Sequence, residues 1–235
     1  MVDKNYSEAA IDSNFVETIK LLNENKISYW VCHGSLLGLI RDGNLIPWDH
    51  DIDIAVWDHE YKKKDILNIF VLAGFQLKDN NVMGSLHLFR KGGRGVDINF
   101  YKDVQPLNNE AIPLVGVMWR MPRSRLGEIF NIIFQNQDYK GEHKNLYKIL
   151  SSLRIIFTPI YKILDKLNLL FVIKGYTTPK SLLSNFIFVN FSGLSCRIPK
   201  ESQDILSFIY GIDWRIPIKE YDWTTDSSSV ITIDQ

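Results

Sequence analysis

Three aspartates at every second position, Asp49, Asp51 and Asp53 in the run WDHDIDIAVW, constrain this chain more than any other feature. In extended backbone alternate side chains share a face. Asp51 and Asp53 therefore project together, Ile52 and Ile54 turn into a core, and Asp49 at the strand entrance leans to the acidic side. Carboxylates this close repel one another and raise each other's pKa unless a cation neutralises them. Hard oxygen donors at this spacing suit Mg²⁺ or Mn²⁺ far better than zinc. A solvated acidic strand edge is the plain alternative. Against it stand the small-residue turn Gly34-Ser35, the apolar run that ends at Arg41, and the loop with Pro47 and Trp48 that leads into the aspartates.

Taken together, GSLLGLIRDGNLIPWDHDIDI (residues 34–54) resembles the LicD/fukutin family of the nucleotidyltransferase superfamily. Its members carry G-[ST]-L-L-G-x-x-R and then I-P-W-D-x-D-[IV]-D in that order. The C-terminal part fits as well: Ile198-Pro199, a short helix, then Tyr210, Gly211, Trp214 and Pro217 follow the family's V-P, helix, Y-G-x-x-W and proline, with Ile in place of Val. The resemblance covers about 28–103 and 188–217. It implies an α+β fold, a nucleotidyltransferase-like mixed β-sheet core flanked by helices, over a single catalytic domain spanning residues 1–235.

The resemblance also implies a reaction. A phosphorylated small alcohol (phosphocholine, phosphoethanolamine, glycerol- or ribitol-phosphate) moves from a CDP-activated donor to a sugar hydroxyl of a surface glycan such as lipopolysaccharide or capsule, and CMP leaves. In that reading Asp51 and Asp53 hold Mg²⁺ or Mn²⁺ on the donor pyrophosphate. Asp97, in the apolar strand GVDINFY, supplies a further metal-site carboxylate and a base for the attacking hydroxyl. Asp49 is an alternative base or a fourth ligand. Gly34 allows close backbone approach to phosphate, Ser35 donates a hydrogen bond or caps the helix Leu36–Arg41, and Arg41 offers a bidentate grip. His33 adjoins the turn and is a nucleotide- or substrate-contact candidate. His87 and Arg90 are weaker phosphate candidates, and His50, out of phase with the aspartates, belongs to the rim. Two other functions compete: NMP transfer from an NTP to a small molecule, and a non-catalytic binding or scaffold protein.

Composition excludes some classes. Lys+Arg and Asp+Glu are both 27, so no charge excess points to nucleic acid; 46% hydrophobic and 12% aromatic residues belong to a folded domain. Cys32 and Cys196 are far apart and have no zinc or disulfide spacing, which makes them buried thiols. The start lacks a signal-peptide profile and no stretch of about 20 residues is apolar enough to span a bilayer. A cytoplasmic protein is expected, placed at the inner face of the cell membrane by the family's acceptor, a glycan free or lipid-linked.

Along the chain, apolar periodicity predicts a helix over 8–25, a strand Ser28–Cys32, and a helix from Asp58 to about Gly74. Strands follow at Phe75–Lys78, Ser85–Lys91 and Gly95–Lys102, the last two joined at Gly92-Gly93. Val104–Gly127 reads as irregular, with Trp119, Arg120, Arg123 and Arg125 either lining a pocket or packing a surface loop. Residues 144–175 read as a basic amphipathic helical insertion divided at Pro159. It either contacts an anionic membrane or packs on the domain with snorkelling lysines. A strand pair and a helix Glu201–Tyr210 close the fold, and the tail after Trp223 reads as loose.

Overall fold

The computed structural model describes residues 11–78, 84–104, 112–134 and 141–233. The chain divides into two compact units: 1–78, 86–99 and 182–206 form the first, and 79–85, 100–181 and 207–235 the second.

The first unit opens with helix α1, Ser13–Glu24, capped by Asp12, whose carboxylate accepts the N–H groups of Asn14 and Phe15. Strand β1 (Tyr29–Val31) leads into α2 (His33–Arg41), and β2 (Asp51–Trp57) returns antiparallel to β1, pairing Val31 with Ile54. Helix α3 (Lys63–Leu72) starts five residues later than the periodicity suggested, because Asp58–Glu60 form a turn first. Strands β3 (Gln76–Leu77) and β4 (Ser85–Phe89) pair with each other, and β4 also pairs with β5 (Gly95–Val104), which lies beside β2. Along β2 the burial alternates as expected: Ile52 and Ile54 are fully buried, Asp51 and Asp53 half-buried.

The second unit takes up the end of β5. Val104 pairs with Leu114 of β6 (Leu114–Pro122), so the middle of the chain is a nine-residue strand, not the irregular segment expected. Its prolines stand just before the strand and at its last residue, where a missing N–H costs no ladder bond. Helices α4 (Arg125–Phe134), α5 (Lys144–Ser152) and α6 (Arg154–Lys166) follow. The break between α5 and α6 falls at Leu153; Pro159 lies inside α6, six residues into it. The helical segment ends sooner than expected, since Asn168 adopts φ +55° and the chain turns into β7 (Phe171–Pro179), paired along its length with β6.

After a 3-10 turn (Lys180–Leu183), β8 (Phe186–Phe191) and β9 (Leu194–Pro199) form the expected strand pair in the first unit. Helix α7 (Ser202–Tyr210) stops at Gly211, φ +84°, as its sequence dictates. The tail is not loose: α8 (Trp223–Asp226) precedes β10 (Val230–Ile233), which pairs with β7. The architecture is thus α+β, mixed strands flanked by helices.

Candidate functional site

The site lies wholly within the first unit and is assembled where β1 passes into α2. His33, the first residue of α2, takes φ +45°, a conformation uncommon outside glycine. That sharp entry sets the start of α2 against β2. The Gly34 N–H then donates to the Asp53 carboxylate at 3.1 Å, and the Ser35 hydroxyl accepts the Asp53 backbone N–H at 2.8 Å. Ser35 therefore does not cap α2; it sits buried in the first turn and satisfies a strand amide that β1 no longer reaches. Gly34 is glycine for space. A Cβ there would stand 2.4 Å from an Asp49 carboxylate oxygen and 3.4 Å from one of Asp53.

Asp49, Asp51 and Asp53 each present an oxygen, and the three oxygens lie within 4.8 Å of one another. Burial, the Asp51 charge and a hydrogen bond shared with Asp51 push the Asp49 carboxyl up to about 7. Burial raises Asp53 well above the usual carboxylate range, reinforced by Asp51, Asp97 and Asp49. A clustered set of carboxylate oxygens that disfavour one another's charge is the donor chemistry of a hard divalent cation. The residues present fit such an ion.

Asp97, on β5 beside β2, stands outside that cluster. Its Oδ1 is 2.8 Å from the His87 Nδ1, so the charged residue in the apolar strand has the partner its position demands. Asp49, Asp51, His87 and Asp97 share the wall of a cleft of about 820 Å³ with His50, Lys78 and Arg94. His50 is exposed at the rim, as its phase required.

Other candidates are placed elsewhere. Arg41 makes a bidentate pair with the neighbouring Asp42, both contacts at 2.8 Å, and does not line the cleft. Arg90 is a structural clamp: its guanidinium reaches Asn14 Oδ1, the carbonyls of Ser13 and Ala73, and the face of Phe75. His33 is buried, and burial holds its imidazole down at about 3, so it is neutral in the folded protein. Cys32 and Cys196 are free and buried, as expected.

Sequence reasoning missed Arg94 and Lys78 as cleft residues. Arg94 follows the two glycines of the β4–β5 turn. Its N–H and guanidinium both meet Asp12, and its Nη1 donates to the Ile46 carbonyl at 3.0 Å, tying the turn to the loop that delivers Asp49. Buried Asn14 completes the tie by donating to the carbonyls of Arg90 and Arg94. The signal was present in Gly92-Gly93-Arg94: a Cβ at Gly93 would stand 2.7 Å from both Asp12 and Asn14, so the turn is built to rest on α1.

Residues 26–103, which hold every carboxylate of the cluster and Asp97, match the LicD/FKTN/FKRP nucleotidyltransferase domain family. The match covers about a third of the chain, and over that segment the chain is similar to the LicD/fukutin family. Mouse ribitol-5-phosphate transferase FKTN is 24% identical over 216 residues, covering 90% of this chain and 34% of that protein. The chain thus spans about a third of the fukutin relatives it matches. An uncharacterised protein of Rickettsia typhi is 37% identical over 67 residues, 28% of this chain and 22% of that one. Human ribitol 5-phosphate transferase FKRP is 41% identical over 39 residues, 17% of this chain and 8% of that one. Among solved structures, the lincomycin-bound lincosamide antibiotic adenylyltransferase LnuA aligns with a TM-score of 0.42 at 11% identity over 83% of this chain and 85% of that one, too distant a likeness to bear on function.

Proposed function

We infer that the chain acts as one catalytic domain, a divalent-metal-dependent transferase that moves a phosphorylated small alcohol from a CDP-activated donor to a sugar hydroxyl, releasing CMP. The observation that carries this reading is the Asp49, Asp51 and Asp53 cluster, two of whose members, Asp49 and Asp51, line a cleft that also presents the Asp97–His87 pair, within the family-matched segment. The relatives are named for ribitol 5-phosphate transfer, which makes ribitol phosphate the first group to test, ahead of glycerol phosphate, phosphocholine and phosphoethanolamine.

Asp49, Asp51 and Asp53 hold the cation, Mg²⁺ or Mn²⁺, which when bound screens the donor pyrophosphate and stabilises charge on the leaving CMP. Asp97 takes the proton of the attacking hydroxyl, and His87 holds its carboxylate in place through Nδ1. Gly34 and Ser35 act on Asp53 and leave contact with the donor to other groups. Arg94 and Lys78 supply positive charge along the cleft wall for donor phosphates. Arg41 serves phosphate only if it leaves Asp42.

The test is CMP release in Mg²⁺ and in Mn²⁺ from CDP-ribitol, CDP-glycerol, CDP-choline and CDP-ethanolamine with a panel of sugar acceptors, alongside pyrophosphate release from the four NTPs. CMP release from one donor, abolished by chelation, supports the reading. Pyrophosphate release from an NTP, with none of the CDP compounds turned over, assigns the site to nucleotidyl transfer instead. Binding of a CDP compound without turnover of any kind favours the non-catalytic reading.

A further inference from the structure

Helix α6 carries more apolar surface than its packing uses. Phe157, Tyr161 and Leu164, spaced i, i+4 and i+7, pack on Phe130, Leu170 and Phe171. Arg120 pairs with Asp165 and lies over the Phe171 ring at 3.8 Å, closing that side. These contacts satisfy one face. Ile156, Ile160, Ile163 and Leu167 form a second stripe at i, i+4, i+7 and i+11, roughly 100° around the helix, and all four are exposed, Ile156 to 70% and Leu167 to 61%. Ile155 beside them is 80% exposed. Helix α5 repeats the pattern: Leu146, Ile149 and Leu153 are exposed at i, i+3 and i+7, while Tyr147 and Leu150 are half-buried.

The charges around these stripes have one sign. Between residues 144 and 174 the cations are Lys144, Lys148, Arg154, Lys162, Lys166 and Lys174, and the sole acid is Asp165, already paired with Arg120. The chain as a whole is neutral, so this is a local concentration of positive charge. Among the described residues no helix is long and apolar enough to cross a membrane. An apolar stripe bordered by lysines and too short to span matches helices that lie in the plane of a bilayer surface. A second copy of the chain fits less well, because an isologous contact sets the same patch against itself and brings like charges together.

We propose that α5 and α6 form a docking surface for an anionic lipid bilayer. The isoleucines and leucines enter the headgroup boundary, and the lysines reach the anionic headgroups with their methylene stems laid along the apolar stripe. The proposal concerns where the protein resides and is independent of the chemistry assigned to the aspartate site.

The test is flotation of the full chain with vesicles of phosphatidylcholine alone and of phosphatidylcholine mixed with phosphatidylglycerol, together with sedimentation equilibrium without lipid. Three proteins are compared: wild type, Ile156→Asp/Ile163→Asp and Lys162→Gln/Lys166→Gln. All four positions are exposed, so thermal melts of the three coincide. Wild type floats with the anionic vesicles, not with the neutral ones, and added salt weakens it. The isoleucine variant loses flotation, and the lysine variant partitions roughly 25-fold less, about fivefold for each cation removed. Failure of wild type to float with anionic vesicles overturns the proposal. So does a dimer in solution that the isoleucine substitutions dissociate, which assigns the stripe to a second copy.

Discussion

Replacing Gly34 with alanine separates the fold from the site. Gly34 lies in the first turn of α2 and is not among the glycines with positive φ, so alanine is conformationally allowed. Helix propensity alone favours alanine by about 1 kcal/mol. The added Cβ, however, lands 2.4 Å from an Asp49 carboxylate oxygen, well inside contact distance. That oxygen is the far end of a side chain on a half-exposed residue, so it yields by rotating outwards and the backbone stays in place. Global stability in urea should change by less than about 1 kcal/mol, the propensity gain offsetting residual strain. The cluster, by contrast, loses one of its three ligands. Removing even an outer-sphere contact costs about 10–100-fold in metal affinity, so Mn²⁺ affinity by calorimetry should fall at least that far. Wild-type Mn²⁺ affinity in Gly34→Ala would show that Asp49 is not a ligand. A loss of several kcal/mol in the urea melt would show that the Cβ meets something that cannot move.

Other outcomes follow from the same contacts. Because burial holds His33 at about 3 in the folded chain against about 6.5 in the unfolded one, stability is full above pH 6.5 and is lost as pH falls towards 3. Denaturation at pH 7 and pH 5 should show wild type losing about 2 kcal/mol more than His33→Asn, a residue that tolerates positive φ; equal losses would mean that another group titrates. Asp49, held at about 7, must shed its proton to bind a cation, so Mn²⁺ affinity should fall as pH drops below 7, by up to about tenfold per unit, and a flat titration between pH 5 and 7 would contradict that. Ser35→Ala strips the Asp53 amide of its acceptor and should cost about 1–3 kcal/mol by chemical denaturation. Asn14→Ala leaves the Arg90 and Arg94 carbonyls without their donor and should cost about 2–3 kcal/mol, with no loss if water replaces the amide.

The elements around the site were legible because local pattern and tertiary role agree there. Ile52 and Ile54 are buried where the period of two puts them, and the strand bearing Asp97 lies beside β2. What sequence alone could not rank were contacts made by neighbours in space. Arg41 was a plausible phosphate grip until Asp42 took its guanidinium, and Arg90 until Asn14 did. Arg94 looked like a turn residue and proved to face the cleft. In the second unit, Pro113 and Pro122 disguised β6, although Val115 and Val117 are both buried at strand spacing. Strand β7 was hidden because apolar residues continue past α6 through Leu167 and Leu169–Ile173; the left-handed Asn168 was the punctuation. Strand β10 is a short run of β-branched residues after six polar ones, and only its pairing with β7 defines it.

The most direct test of the central claim is Mn²⁺ binding followed by electron paramagnetic resonance in wild type and Asp53→Asn. The variant keeps an acceptor for the Gly34 N–H and removes a carboxylate whose charge the fold disfavours, so it should melt at or above the wild-type temperature. The account predicts saturable Mn²⁺ binding by wild type and its loss in the folded variant. Equal binding by both would contradict it and place the cation away from the alternating aspartates.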